Sequence, residues 1–242
     1  MSSSAFSSGL SGADDIVQWQ PGLHPVCHSE IFASARDAGG TAAALALALD
    51  GACRVECGAN DRRAILWVQD KKALRLGGRP YRHGLPEKLR ARMIHVSAST
   101  PEDALFALEE GLRCRDLICV IGEIVGNPRA LSFVASRRLT LTAEKHGVPL
   151  YLVRLDARHD LSSARMRWDI RSHLSQVSRW DHRAPGLPCW RAELFRARVH
   201  PQGEWILYDG GNGLVARNPS APFTPDHGHL ADKAGNRSLA AL

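Results

Sequence analysis

The chain has 242 residues, of which 44% are apolar and 23% are charged, so it can bury one substantial core of the ordinary globular kind. Its 31 Lys and Arg outnumber its 25 Asp and Glu, and the net charge of +6 permits, without demanding, contact with nucleic acid or an acidic protein surface. No apolar run approaches the about 18 residues of a membrane-crossing helix, and the six cysteines form no Cys-x-x-C pair. We therefore expect a cytoplasmic protein without a membrane span, whose thiols are reduced and mostly buried.

The first elements along the chain are a tail, a strand and a helix. Residues 1–15 are rich in Ser and Gly and have few large side chains to bury, which predicts a flexible tail. Residues 26–32 have the length of a short strand. Residues 41–49 are nearly all Ala and Leu, which is typical of a helix packed tightly against a sheet.

The loop between that strand and that helix imitates a phosphate-binding P-loop without its chemistry. Laid on the pattern G-x-x-x-x-G-K-[ST], it keeps the second Gly as Gly39 and the hydroxyl as Thr41, but Ser34 replaces the first Gly and Gly40 replaces the Lys. Asp37 adds a negative charge where phosphate should be attracted. The degenerate loop consists of Ser34, Ala35, Arg36, Asp37, Gly39, Gly40 and Thr41. The sequence therefore predicts a nucleotide-binding fold that has lost its nucleotide.

Two buried strands are followed by carboxylates. Asp70 comes after the apolar run 64–68, at the end of a strand where catalytic groups of doubly wound sheets collect, although the neighbouring Lys71 and Lys72 favour a solvated carboxylate. Glu123 follows the run 117–121, where a Walker B element would have an Asp that holds magnesium, but it comes one position late. We interpret both acids as vestigial positions.

The stretch 75–92 is the most basic part of the chain. Its charge and glycines suit contact with phosphates, and its aromatic residue suits stacking on a base. The candidate DNA contacts are Arg75, Arg79, Tyr81, Arg82, Lys88 and Arg90. A solvated connecting helix is the alternative.

Two more helices and a strand complete the pattern of a largely parallel sheet flanked by helices. Ser99-Thr100-Pro101 is a strong helix start, and that helix runs to about Arg113. A longer helix is predicted from Asn127-Pro128 to His146, with Leu131, Val134, Leu139 and Leu141 facing inward. Residues 148–155 form the next buried strand. The alternation of strands and helices over residues 16–157 predicts an α/β core.

After the core, the pattern changes to short β-prone segments joined by Pro- and Gly-rich turns. These segments cover residues 163–170, 190–199, 204–208 and 214–217. We expect residues 158–217 to add antiparallel strands at one edge, as an extension of the same domain. Residues 218–242 are polar with several Pro and Gly, which predicts a disordered tail.

The ordered motifs resemble those of the RecA recombinase core. The strand, loop and helix of residues 22–49 are similar to its P-loop unit, RAILWVQDKKAL to the strand that ends in its catalytic glutamate, and DLICVIGEI to its Walker B strand. VPLYLVRLDAR stands at the strand that carries the glutamine sensing the terminal phosphate, where this chain has Arg154 or a neighbour.

More closely, the chain is similar to the ImuA family of RecA-like proteins from bacterial mutagenesis cassettes. The matching strings are His28-x-Glu30-Ile31-Phe32, the Gly-Thr-Ala-Ala-Ala helix start, ILWV (65–68), ARMRW (164–168), PCWRAELFRAR (188–198) and GEWIL (203–207). This resemblance implies a RecA-like α/β core and a role in damage-induced SOS mutagenesis by translesion synthesis. The implied partners are an ImuB-like inactive Y-family polymerase subunit and an error-prone replicative-type DNA polymerase, with RecA and single-stranded DNA as further candidates.

The missing Lys, Gly and Walker B Asp favour a non-catalytic adaptor with no cofactor, no metal and no catalytic residue, cytoplasmic and at the nucleoid when acting. The alternative is a divergent ATPase or recombinase that uses Asp70, Glu123 and Arg36 as non-standard ligands. A metal cluster of Cys53, Cys57, His24 and His28 lacks a closely spaced second pair. A hydrolase lacks a G-x-S-x-G elbow, and His159 and Asp160 have no evident nucleophile beside them.

Overall fold

The computed structural model describes residues 28–54, 61–175, 183–184, 186–209 and 213–219. The predicted tail 1–15, almost all of the predicted tail 218–242, and His24 lie outside the described residues.

The described strands form one nine-stranded sheet with the order β3-β2-β4-β5-β1-β6-β7-β8-β9. Their bounds are β1 His28–Ala33, β2 Ala64–Asp70, β3 Met93–Ala98, β4 Leu117–Val125, β5 Leu150–Leu155, β6 Met166–His173, β7 Cys189–Ala197, β8 Gly203–Asp209 and β9 Leu214–Arg217. Strands β1 to β6 are parallel to one another. Strand β7 is antiparallel to β6, β8 to β7 and β9 to β8. The predicted α/β fold, with a largely parallel centre and antiparallel strands at the edge, is confirmed.

The position of β6 differs from the prediction that all the later strands are antiparallel. It pairs in parallel with β1, with Ser29 opposite Met166. The reason is the path of residues 156–165: Asp156 N donates to Ala33 O at the end of β1, and Arg165 N donates to His28 O at its start. The chain therefore returns along the length of β1 before β6 begins, and the antiparallel part starts only at β7.

Five α-helices flank the described sheet. They are α1 Gly39–Arg54, α2 Lys71–Gly77, α3 Glu87–Arg90, α4 Pro101–Arg113 and α5 Phe133–His146, and a short 3-10 turn lies at Arg82–Gly84. The start of α4 is as predicted: Thr100 and Asp103 form a reciprocal capping box and Pro101 occupies the first turn. Helix α1 begins two residues earlier and ends later than predicted.

Helix α5 is shorter than predicted. It begins at Phe133 with Ser132 as its N-cap, because the Asn127 side chain is used elsewhere, bonding the backbone of Arg158. Val134 and Leu141 were expected to face inward and are exposed instead. The buried stripe is more polar than the apolar pattern suggested, since Thr140 Oγ1 binds the buried ring of His28 at 3.0 Å.

The core lies in two layers on opposite faces of the sheet. One layer packs α1 on Trp67, Tyr151 and Trp168, and the other packs α4 and α5 on the far side of β2, β4 and β5. Helix α1 is also tied to the later strands at both ends. Asp37, just before it, accepts from Ser172 of β6, and Asp50 on it accepts from Leu214 N of β9 at 3.0 Å. The extension is thus built into the same sheet and core as the first five strands.

Candidate functional site

The degenerate loop leaves the carboxyl end of β1 in the middle of the sheet and leads into the first turn of α1. In a P-loop, the amide N–H groups of such a loop point at phosphate. Here four of them donate to oxygens of the protein itself. The pairs are Ala35 N to Asp156 Oδ1 at 3.0 Å, Arg36 N to Ser34 Oγ at 3.2 Å, Asp37 N to Ser34 O at 3.0 Å, and Gly39 N to Asp37 Oδ1 at 2.8 Å. These four amide groups therefore already have hydrogen-bond acceptors within the protein.

Asp37 places its own carboxylate at the N-terminus of α1, where a phosphate would otherwise be favoured. Besides Gly39 N, it accepts from Ser172 N at 2.7 Å and Ser172 Oγ at 2.5 Å. Partial burial raises the pKa of Asp37, but the hydrogen bonds from Ser172 and Gly39 outweigh it and hold that pKa below its ordinary value. The prediction that Asp37 disfavours phosphate thus gains a physical basis, because this charge is already hydrogen-bonded in place.

The two glycines of the loop are closely packed against neighbouring residues. A Cβ atom on Gly39 would lie 2.5 Å from Ser172 Oγ, and one on Gly40 would lie 2.2 Å from the Cβ of Ala33. The Cβ of Ala33 is fixed to its backbone, so a larger residue at Gly40 forces the start of α1 to move, whereas one at Gly39 displaces the Ser172 hydroxyl that binds Asp37. Of the other loop residues, Ser34 and Arg36 are exposed, while Ala35 and Thr41 are half-buried.

The prediction that Asp70 is a solvated carboxylate is wrong. Its exposed fraction is 1%, and it is the N-cap of α2, accepting from Ala73 N at 2.7 Å and from Val125 N at 3.3 Å. Because β2 runs directly into α2, the carboxylate folds back over the first turn of the helix, away from Lys71 and Lys72. Both of its oxygens have structural partners.

Glu123 is also buried and bound. It accepts from Trp67 Nε1 at 2.6 Å and from Gln69 Nε2 at 3.2 Å, and Gln69 in turn lies 2.8 Å from His95 Nε2. Burial raises the pKa of Glu123, with a contribution from nearby Asp70, and the hydrogen bonds from Trp67 and Gln69 only partly oppose it. Both carboxylate oxygens accept hydrogen bonds from side chains of β2. The acid at the Walker B-like position therefore links β4 to β2. Sequence reasoning missed Trp67 and Gln69, although their spacing of two places both on one face of β2.

Arg154 stands where the RecA resemblance puts a sensor of phosphate, and it is part of a buried ion network. Glu30 binds Arg154 Nη1 at 3.4 Å and Arg167 Nε at 2.8 Å, and Asp160 binds Arg154 Nη2 at 3.2 Å. Ser162 Oγ also donates to Glu30, at 2.8 Å. Two acids and two arginines therefore balance one another across β1, β5 and β6, and the sequence analysis did not foresee this network.

An aromatic group covers the same network. The Phe32 ring lies 5.5 Å from the Arg154 guanidinium and 5.0 Å from that of Arg167, and it meets His159 edge-on. His159 stacks on Phe195 with ring centres 4.1 Å apart. His159 and Asp160, which were weighed as hydrolase residues, thus help to hold residues 156–165 over the strand ends.

The basic segment is not one helix but a chain of short turns: α2, the 3-10 turn and α3. Arg75, Arg79 and Tyr81 are exposed, Tyr81 by 74% of its surface. Arg82 Nη2 donates to Met93 O at 3.4 Å, and Arg90 Nε donates to Leu85 O at 3.0 Å. Arg82 therefore lies against the edge strand β3, and the Lys88 side chain is outside the described residues. Arg82 and Arg90 are exposed as well, so the predicted DNA contacts whose side chains are described all reach the surface, and two of them also donate to a backbone carbonyl.

A separate cavity of about 240 Å³ opens on the later strands and is lined by Asp169, Arg171, Arg191, Glu193 and Glu204. Its acids lie directly opposite one another across β6, β7 and β8, and its arginines pair with them, Arg191 with Glu204 and Arg171 with Asp169. Over the described ranges, no group of three or more His, Cys, Asp or Glu side chains is arranged to hold a metal ion.

Within the part of the chain that the structure describes, no helix combines the length and apolar character needed to cross a bilayer. Neither protein-family models nor curated proteins match this chain.

Proposed function

We propose that this chain is a non-catalytic adaptor on a RecA-like scaffold that acts in damage-induced, error-prone translesion DNA synthesis and uses no cofactor. The observation that carries the non-catalytic part is the loop: four of its amide N–H groups donate to oxygens of Ser34, Asp37 and Asp156. The candidate acids Asp70 and Glu123 are likewise held by the protein. Since these amides and acids are bonded within the protein, the proposed mode of action is binding.

The proposed partners follow from the likeness to the ImuA family. They are an ImuB-like inactive Y-family polymerase subunit and an error-prone replicative-type polymerase, with RecA and single-stranded DNA as candidate further contacts. The proposed location is the cytoplasm, at the nucleoid during damage. Because residues of β6 and β9 hold both ends of α1, removing the later strands would disrupt the core as well as any binding surface. Partner contacts are therefore better tested by surface substitutions than by truncation.

The decisive experiment measures damage-induced mutation frequency in a knockout strain complemented with variants. We expect the frequency to fall on deletion and to recover equally with the wild type and with Arg36→Ala. Arg36 is exposed and is the cation that a divergent ATPase would use, so its replacement tests catalysis without removing a buried contact. A knockout with unchanged mutagenesis would remove the proposed role. Failure of Arg36→Ala alone to complement, with normal protein levels, would favour the ATPase.

A second prediction concerns DNA and the exposed basic residues. We expect weak binding of single-stranded DNA that falls steeply with salt, measured by fluorescence anisotropy across a salt series. If Arg75 and Arg79 each contact a phosphate, replacing both by Ala lowers the slope of log K against log salt by about 1.4. Replacing Arg171 and Arg196, two exposed arginines on the later strands, is the matched control and leaves the slope unchanged. If replacing either pair of arginines changed the slope equally, DNA binding would depend on the net charge of the protein and not on the basic segment.

A further inference from the structure

The outer faces of α4 and α5 expose more apolar surface than single scattered residues would. Phe106 on α4 is 67% exposed, and Val134 and Leu141 on α5 are 72% and 51% exposed. The opposite sides of the same helices are buried in the core, through Leu105, Leu108 and Leu139 among others. The exposed residues therefore contribute nothing to this fold's interior.

These residues belong to one surface because the two helices are parallel and side by side. Helix α4 connects β3 to β4 and crosses β2, which lies between them, whereas α5 connects the neighbouring strands β4 and β5. Both helices lie on the same face of the sheet, and Arg138 Nε of α5 lies 2.5 Å from Glu109 Oε2 of α4. This ion pair sets Glu109 and Arg138 at the same position along the direction of the two helix axes. Phe106 lies about one turn before Glu109, and Val134 lies about one turn before Arg138. Phe106 and Val134 are therefore also at the same position along the helix axes.

The two helices carry opposite charge on this surface. Helix α4 has four carboxylates and one Arg, whereas α5 has three Arg or Lys and one Glu. Within one chain Glu109 and Glu110 already bind Arg113, at 2.7 and 2.6 Å. Arg137, which is exposed beside Val134, offers a further cation. The surface is thus acidic along one side, basic along the other and apolar between.

We propose that the α4–α5 face binds the same face of a second copy of this chain. A two-fold axis parallel to the helices and midway between them puts α4 of each copy over α5 of the other at the same height. Phe106 then meets Val134 of the second copy, and Glu110 comes between the levels of Arg137 and Leu141. An axis across the helices would instead set α4 on α4, acids on acids, and the charge pattern rejects it.

The surface is of a size for a reversible dimer. Helices of 13 and 14 residues are about 20 Å long, and two side by side are about 20 Å wide. Such an area is at the low end for specific interfaces, so we expect a weak, reversible dimer whose dissociation constant rises at high salt. This inference is independent of the proposed role in mutagenesis.

Sedimentation equilibrium of the full chain over a concentration series tests the proposal. The wild type should show a monomer–dimer equilibrium, and Val134→Glu should raise the dissociation constant at least about tenfold. Val199→Glu is the matched control, because Val199 is equally exposed, at 72%, and lies between β7 and β8. Circular dichroism verifies that each variant is folded.

A charge exchange identifies the geometry. Glu110→Arg and Arg137→Glu should each weaken the dimer, and an equimolar mixture of the two variants should recover it, because both cross-pairs then become opposite in charge. A chain that stays monomeric, a dimer that Val134→Glu leaves intact, or a mixture that fails to recover would overturn the proposal.

Discussion

Replacing Glu30 by Gln is expected to lower the free energy of unfolding by about 3–5 kcal/mol. Glu30 is fully buried and binds Arg154, Arg167 and Ser162 at once. Its neutralisation leaves two buried guanidinium groups with Asp160 as their remaining carboxylate. Since a domain is typically stabilised by only about 5–15 kcal/mol, this variant should unfold at a much lower urea concentration.

The control for this variant is Glu144→Gln, which breaks the partly exposed ion pair with Arg165 and should cost at most about 1 kcal/mol. A second test restores the charge balance. Adding Arg167→Gln to Glu30→Gln leaves one arginine and one acid, Arg154 and Asp160, so the double variant should lose less than the sum of the two single losses. A Glu30→Gln variant as stable as the control would show that the buried network contributes little.

The arrangement of elements was predictable because it follows from patterns that lie close together along the chain. Continuous apolar runs marked β2, β4 and β5, and the Ser99-Thr100-Pro101 start marked α4. The direction of β6 was not predictable, because it depends on where residues 156–165 run after β5. The start of α5 was missed for a similar reason: Asn127 satisfies a distant backbone segment at Arg158 instead of capping the helix.

The candidate site shows the same division between local and distant information. The loss of the P-loop residues is visible in the sequence, but the use of Asp37 as an internal acceptor depends on Ser172, 135 positions later. Asp70 was expected in solvent because its neighbours are lysines, yet its contact with Val125 N buries it. Glu30 and Arg154 could be seen as parts of strands, but their mutual pairing required the parallel register of β1 and β5.

Restoring the missing P-loop lysine should destabilise the protein without producing an ATPase. In Gly40→Lys, the new Cβ would overlap the Cβ of Ala33, and because both atoms are fixed to backbone, the start of α1 must move. Overpacking of this kind costs about 1–3 kcal/mol, measurable by urea denaturation. Gly77→Lys is the control, because a Cβ on Gly77 meets no atom within 4 Å.

The double variant Ala33→Gly/Gly40→Lys separates packing from chemistry. Removing the Cβ of Ala33 relieves the overlap, so this variant should regain most of the lost stability relative to Gly40→Lys. It should still hydrolyse no ATP above background, because the loop amides remain bonded to Ser34, Asp37 and Asp156 and the Asp37 charge remains at the start of α1. Turnover by this folded variant that disappears on adding Glu123→Ala would contradict the non-catalytic proposal. It would mean that Glu123 can leave Trp67 and Gln69 to serve a bound nucleotide.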